Sequence, residues 1–191
     1  GLPGCTGKTV DVSGLYVTPG LIDMHAHVYR GFPGWLFPDQ TALPNGVTTV
    51  VDAGSSGWRG FEDLRETIIE PSCARVLAFL NIVGGGMSEP YEQDVAEMNP
   101  EPCAEAVQKH PEQIVGVKSA HYNGPGWESA GGALRASRLG DTIAMIDFEP
   151  QPSRTFGELL LQMNPGDIVT HVFSAHVPLL DGNGKITGYV R

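Results

Sequence analysis

The sequence predicts an α/β protein in which six short, buried strands alternate with helices. Three observations support this reading. Six apolar, β-rich runs recur along the 191 residues. Each is nearly continuous in apolar residues, as strands covered on both faces of a parallel sheet are. Segments with helical spacing lie between most of the runs, and Gly and Pro, 25 and 15 residues in all, punctuate the chain. An open doubly wound sheet and a closed (β/α)8 barrel both satisfy this alternation, and periodicity does not choose between them. In either fold, chemistry gathers at the carboxyl ends of the strands.

The first run is LIDMHAH, residues 21–27. The connection over 28–46 is rich in Gly and Pro, so any helix there is short. VTTVVDAG (47–54) is the second run. A helix follows in FEDLRETIIE, where Phe61, Leu64 and Ile68 share a face. RVLAFLNI (75–82) is the third run, and CAEAVQKH places Cys103, Ala106 and Val107 on one helical face. IVGVKSAH (114–121) is the fourth run. WESAGGALRASRL predicts a weaker helix because of its paired glycines. TIAMIDF (142–148) is the fifth run. TFGELLLQM puts Phe156, Leu159, Leu160 and Met163 on one face, NPGD stops it, and DIVTHVF (167–173) is the sixth run.

Composition narrows the function. A net charge of −10, scattered along the chain, argues against nucleic acid and anionic membranes as partners. The three cysteines, Cys5, Cys73 and Cys103, lack metal-ligand spacing and are odd in number, so they read as reduced thiols. No signal peptide or membrane-length apolar run is visible, and a cytoplasmic location is expected. GLPGCTGKT resembles a phosphate-binding loop, but Leu2 stands where that pattern needs glycine, and no strand precedes it. GSSG lacks the spacing of a nucleophile elbow, which argues against an α/β nucleophile hydrolase. The chain opens on Gly1 within a loop-like stretch and closes just after a strand and turn, so it reads as an internal fragment.

Polar residues recur where apolar runs end. His25 and His27 are two apart, so on a strand they point to one face, and two neutral imidazoles can grip one metal ion. H-x-H alone is a weak motif. Lys118 lies among Val115, Val117 and small residues, where burial as a cation is costly and lowers the amine pKa. Asp147 ends the fifth run, where a carboxylate needs a partner, a metal or a cap. His171 ends the sixth. One such residue is ordinary; metal-competent groups at four strand ends form a pattern. Asp23, deeper on the face of His25, reads as a group that hydrogen-bonds a ligand or a backbone group. Arg30, His121 and His176 fall near strand ends and are candidates to touch substrate.

The stretches GLYVTPGLIDMHAHV, GVTTVVDAGSSG, RVLAFLNI, VGVKSA and PGDIVTHVF together resemble the amidohydrolase superfamily, and within it the dihydroorotase-like amidohydrolase/deacetylase branch. The resemblance covers nearly the whole chain. It implies a partial (β/α)8 TIM barrel, about six of eight strands, with a metal site at the carboxyl ends of the strands. Residues 1–19 would close a small β-sandwich, with KTVDVSGLYV as its last strand, and 20–191 would form the N-terminal part of the barrel. The implied cofactors are one or two divalent metals, commonly zinc. Their implied ligands are His25, His27, His171 and Lys118, the last carrying a CO2-derived carbamate. Two departures stand out. The family's fifth-strand histidine is replaced by Asp147, with Glu149 as an alternative donor. The family's catalytic aspartate follows an eighth strand and would lie beyond residue 191. The implied reaction is hydrolysis of a small amide, cyclic amide or acyl compound by metal-activated water, with the fragment inactive alone. A non-catalytic metal- or ligand-binding relative is the alternative. A small-molecule substrate is the expected partner, and a homo-oligomer of the full-length protein is left open.

Overall fold

The computed structural model of the chain describes residues 7–29, 35–87, 91–174, 177 and 179–188. Six strands form one sheet: β1 (Leu21–Ala26), β2 (Val47–Gly57), β3 (Arg75–Asn81), β4 (Ile114–Ser119), β5 (Ile143–Ile146) and β6 (Ile168–Val169). All neighbours are parallel, and the order is β1-β2-β3-β4-β5-β6. A doubly wound sheet reverses its strand order at a switch point; a barrel does not. The unbroken sequential order selects the barrel.

The sheet also curls. Five inter-strand steps of roughly 4.8 Å would separate β1 from β6 by about 24 Å in a flat sheet. Yet the rings of His25, on β1, and His171, just past β6, have centroids only 5.1 Å apart. The chain therefore forms a curled half-barrel with its strand ends facing one another across the mouth.

Two apolar clusters flank the sheet. The smaller holds Val51, Ala53, Phe79 and Met145, alternate residues that face the barrel interior. The same alternation carries Asn81 and Asp147 onto that face at the carboxyl ends. Lys118 pairs in register with Asn81 and Met145, so it shares their row. The larger cluster lies between sheet and helices and includes Leu64, Leu80, Leu134, Ile146 and Leu159.

Helices α1 (Phe61–Leu64), α2 (Pro100–Lys109), α3 (Glu128–Leu139) and α4 (Phe156–Gln162) follow their sequence signals. A π turn, Arg65–Ile69, prolongs α1, and the 28–46 connection holds only a π turn at Pro38–Ala42 and a 3-10 turn at Leu43–Asn45. The helix α3, expected to be weak, has 12 residues. Its glycines permit close packing: a Cβ on Gly132 would stand 3.2 Å from Ile82 Cγ1. Tertiary contact outweighs the propensity cost. α4 starts with a capping box, Thr155 and Glu158 each bonding the other's backbone N–H.

Residues 8–20 form neither strand nor helix, and Tyr16 is 99% exposed. No helix among the described residues is long and apolar enough to cross a membrane.

Candidate active site

The barrel mouth is assembled from the ends of β1, β2, β4, β5 and β6. His25 and His27 stand side by side, ring centroids 5.6 Å apart and nearly perpendicular. Each ring is fixed through Nδ1: His25 shares a 3.0 Å hydrogen bond with Thr170 Oγ1, and His27 one of 2.9 Å with Ser55 Oγ. Burial lowers both pKa values to about 4, helped at His25 by Lys118 and His171 and at His27 by His25 and Lys118. Both imidazoles are neutral at pH 7, the form that offers a lone pair to a metal.

Lys118 is 1% exposed, and its amine has no hydrogen-bond partner among the described residues. Burial pushes its pKa from 10.5 down to about 8, against the pull of Asp147 and Asp52. Its stem crosses Gly54, which sits at φ +93°. A Cβ there would meet Lys118 Cγ at 2.6 Å and Cβ at 2.7 Å. Glycine is required both for the backbone angle and for the passage of the lysine.

Asp147 is held between two imidazoles. His171 Nδ1–H donates to its Oδ1 at 3.0 Å, and His121 Nε2 lies 3.6 Å from its Oδ2. His121 in turn donates from Nδ1 to Glu92 Oε1 at 2.9 Å, a bond that raises its pKa above the ordinary value. His121 and His171 both take left-handed backbone angles, φ +49° and +57°, which turn the chain out of the strand direction. A cleft of about 300 Å³ opens beside them, bounded by His121, Asp147, His171 and Glu149 with Tyr122 and Phe148 as its apolar wall. Arg154, 2% exposed, secures that wall: it donates to the carbonyls of Tyr122 and Gly126 and lies over both aromatic rings.

The structure thus brings His25, His27, Lys118, Asp147, His171 and His121 to one mouth. Glu149 is exposed at the rim of the cleft. Asp23 accepts from the His25 backbone N–H at 3.0 Å. Arg30 and His176 lie outside the described residues. Sequence reasoning passed over Asp52, Ser55, Glu92 and Thr170. Asp52, fully buried, carried the signal that singled out Asp147: a carboxylate inside an apolar run.

Among the described residues, no three His, Cys, Asp or Glu side chains form a ready-made metal cage. A cation there would draw on the two neutral imidazoles and on the unpaired amine of Lys118, which must be neutral or modified to donate.

No protein-family model matches the chain. Relatives do. The chain is 33% identical over 180 residues to a deacetylase of Agrobacterium fabrum, spanning 87% of this chain and 43% of that protein. It is 34% identical to a deacetylase of Brucella anthropi, spanning 87% of this chain and 44% of that one. A crystal structure of a dihydroorotase superposes with a TM-score of 0.74 at 30% identity, over 83% of this chain and 46% of the other. The chain belongs to the amidohydrolase superfamily. An adenine deaminase crystal structure, TM-score 0.81 at 24% identity over 91% of this chain and 49% of that one, shares the fold of this amidohydrolase chain. The chain spans less than half the length of the curated deacetylases that it matches.

The neutral histidines give this amidohydrolase chain a measurable pH signature. In metal-free protein, NMR titration should place His25 and His27 at about 4, and His121 above the ordinary 6.5. Because the first two are lowered, the unfolded chain binds more protons between pH 6.5 and about 4, so their contribution to stability is lost as pH falls through that window. Midpoints of His25 and His27 at ordinary values would contradict the burial.

Proposed function

We propose that the chain carries the metal-binding part of a hydrolase that cleaves a small amide, cyclic amide or acyl compound. The observation that carries this reading is the buried amine of Lys118, without a hydrogen-bond partner among the described residues, at the same barrel mouth as two neutral histidines. The names of the relatives, deacetylase and dihydroorotase, agree with acyl and cyclic amide substrates. His25, His27, Lys118, Asp147 and His171 would hold one or two divalent metals, zinc by the N/O donor set. When bound, such a metal lowers the pKa of a coordinated water and polarises the scissile carbonyl.

The chain's own residues prepare that chemistry. Ser55 and Thr170 hold Nδ1 of His27 and His25, so Nε2 is the atom that each ring would turn to a metal. Neutral Lys118 adds through its nitrogen lone pair to the carbon of CO2 and releases a proton to solvent, and the resulting carbamate brings anionic oxygens to a mouth rich in imidazole. Asp147 holds His171 through Nδ1 and sets its ring orientation. The cleft beside Tyr122 and Phe148 receives the apolar part of a small substrate, with His121 at its edge. The same reading places the protein in the cytoplasm, where Cys103, a buried thiol pushed up to about 12, stays inert.

One observation favours a second reading, a metal- or ligand-binding relative without turnover: Asp147 stands at the fifth strand and is already engaged by His171. Metal analysis and a substrate panel on the whole protein separate the two. Bound metal with hydrolysis of N-acyl amino acids or cyclic amides supports the enzyme. Stoichiometric metal without turnover supports the relative, and absence of metal from protein purified with zinc supplied sinks the enzyme and leaves only a ligand-binding relative.

A further inference from the structure

Midway along β2, Asp52 is 0% exposed and both its oxygens are used. Oδ2 accepts from Val28 N–H at 2.8 Å; Oδ1 accepts from Gly54 N–H at 3.1 Å and Ser55 N–H at 2.7 Å. One carboxylate therefore joins the residue after His27 to the turn that carries Ser55. Ser55 is itself 5% exposed, and its hydroxyl meets His27 Nδ1 at 2.9 Å. The turn is pinned from a third side, since Asn81 Nδ2 donates to Gly54 O at 2.9 Å. The same Gly54 lies against the stem of Lys118.

We infer that Asp52 is a positioning residue for His27, acting through the Ser55 hydroxyl and the Val28 backbone. Three N–H donors converge on it, so both oxygens must accept. Asparagine offers one acceptor oxygen, and its NH2 would face either Val28 N–H or the Gly54 and Ser55 N–H pair. Whichever side it lost, the imidazole and its hydroxyl partner would shift relative to one another. A buried carboxylate that only closed a turn would have no need to reach across to β1. The geometry links both donor groups of the mouth through one turn: His27 by a hydrogen bond and Lys118 by packing.

The inference rests on the metal reading for its consequence, but the position of His27 is readable without metal. The test uses the whole protein with 15N-labelled histidine and the variants Asp52→Asn, Ser55→Ala and the double variant. In metal-free protein, the His27 Nδ1 resonance should move in each. Zinc affinity, measured by competition with a chromophoric chelator, should fall by about 10- to 100-fold in each single variant. The double variant should be little worse than either single one, because both act on one contact. An unmoved Nδ1 resonance in Asp52→Asn, with zinc affinity within about twofold of the parent, would overturn the inference. If Asp52→Asn does not fold, Asp52→Glu, which keeps two acceptor oxygens but displaces them, decides in its place by the same two readouts. Failure of the unmutated protein to bind zinc overturns the metal reading, while the Nδ1 resonance still decides the positioning of His27.

Discussion

Replacing Lys118 by methionine should make the metal-free protein more stable and abolish its function. The amine is buried without a hydrogen-bond partner among the described residues, and the drop from 10.5 to about 8 corresponds to about 3 kcal/mol of instability at neutral pH. The sign follows from the direction of the shift. The folded pKa is lowered, so the unfolded chain holds the proton more tightly, and stability is lost as pH falls from 10.5 through about 8. Methionine keeps the stem and removes the charge. Chemical denaturation should therefore show a gain of up to about 3 kcal/mol at pH 7 that shrinks as pH rises toward 10.5. Metal affinity and hydrolysis by the whole protein should fall by at least about a hundredfold, the upper end of what loss of a supporting partner causes. A residue kept for packing would show the opposite: methionine neutral or destabilising, with metal content intact. Burial of an unpaired cationic group is a cost that a fold carries for a use.

The second large effect is expected at Gly54. Alanine there would place a Cβ 2.6 Å from Lys118 Cγ and 2.7 Å from its Cβ, at a backbone angle of φ +93° that alanine resists. Steric overlap and backbone strain together should cost roughly 2–4 kcal/mol. Lys118 would be driven from its place, so metal affinity should fall with stability. Combining Gly54→Ala with Lys118→Ala removes the closer of the two contacts, and the pair should cost less than the sum of the singles. Strict additivity would show that the two residues do not meet. A denaturation series on the four proteins measures this coupling.

The middle of the fold was legible because its central strands are buried on both faces. VTTVVDAG and RVLAFLNI announce themselves by composition, and β2 and β3 appear at Val47–Gly57 and Arg75–Asn81. Strands with one neighbour were read less well. DIVTHVF promised seven residues, yet β6 holds only Ile168–Val169, since among the described residues it pairs with β5 alone and His171 turns away at φ +57°. LIDMHAH was read as buried, but Leu21, Ile22 and Met24 are more than half exposed because, among the described residues, β1 pairs only with β2. Helix α3 was underrated because its glycines cost propensity locally, while their benefit is contact with Ile82 on another element.

The site was legible residue by residue, not as a network. His25, His27, Lys118, Asp147 and His171 each stood out as polar groups ending apolar runs. Their partners did not. Thr170 meets His25 across 145 positions of sequence, and His171 meets Asp147 across 24. No local spacing encodes such contacts. Asp52 escaped notice because its role is spent on backbone N–H groups of two separate segments, Val28 and the turn at Gly54 and Ser55.

The central claim is that the mouth formed by β1, β4, β5 and the residues after β6 holds a metal. Anomalous X-ray diffraction at the zinc edge, on crystals of the whole protein grown with zinc, tests it most directly. The expected result is a peak bonded to the imidazoles of His25 and His27, with electron density for a carbamate on Lys118 reaching toward it. A zinc-replete crystal with no peak at those imidazoles, or with zinc only on groups elsewhere on the surface, would contradict it.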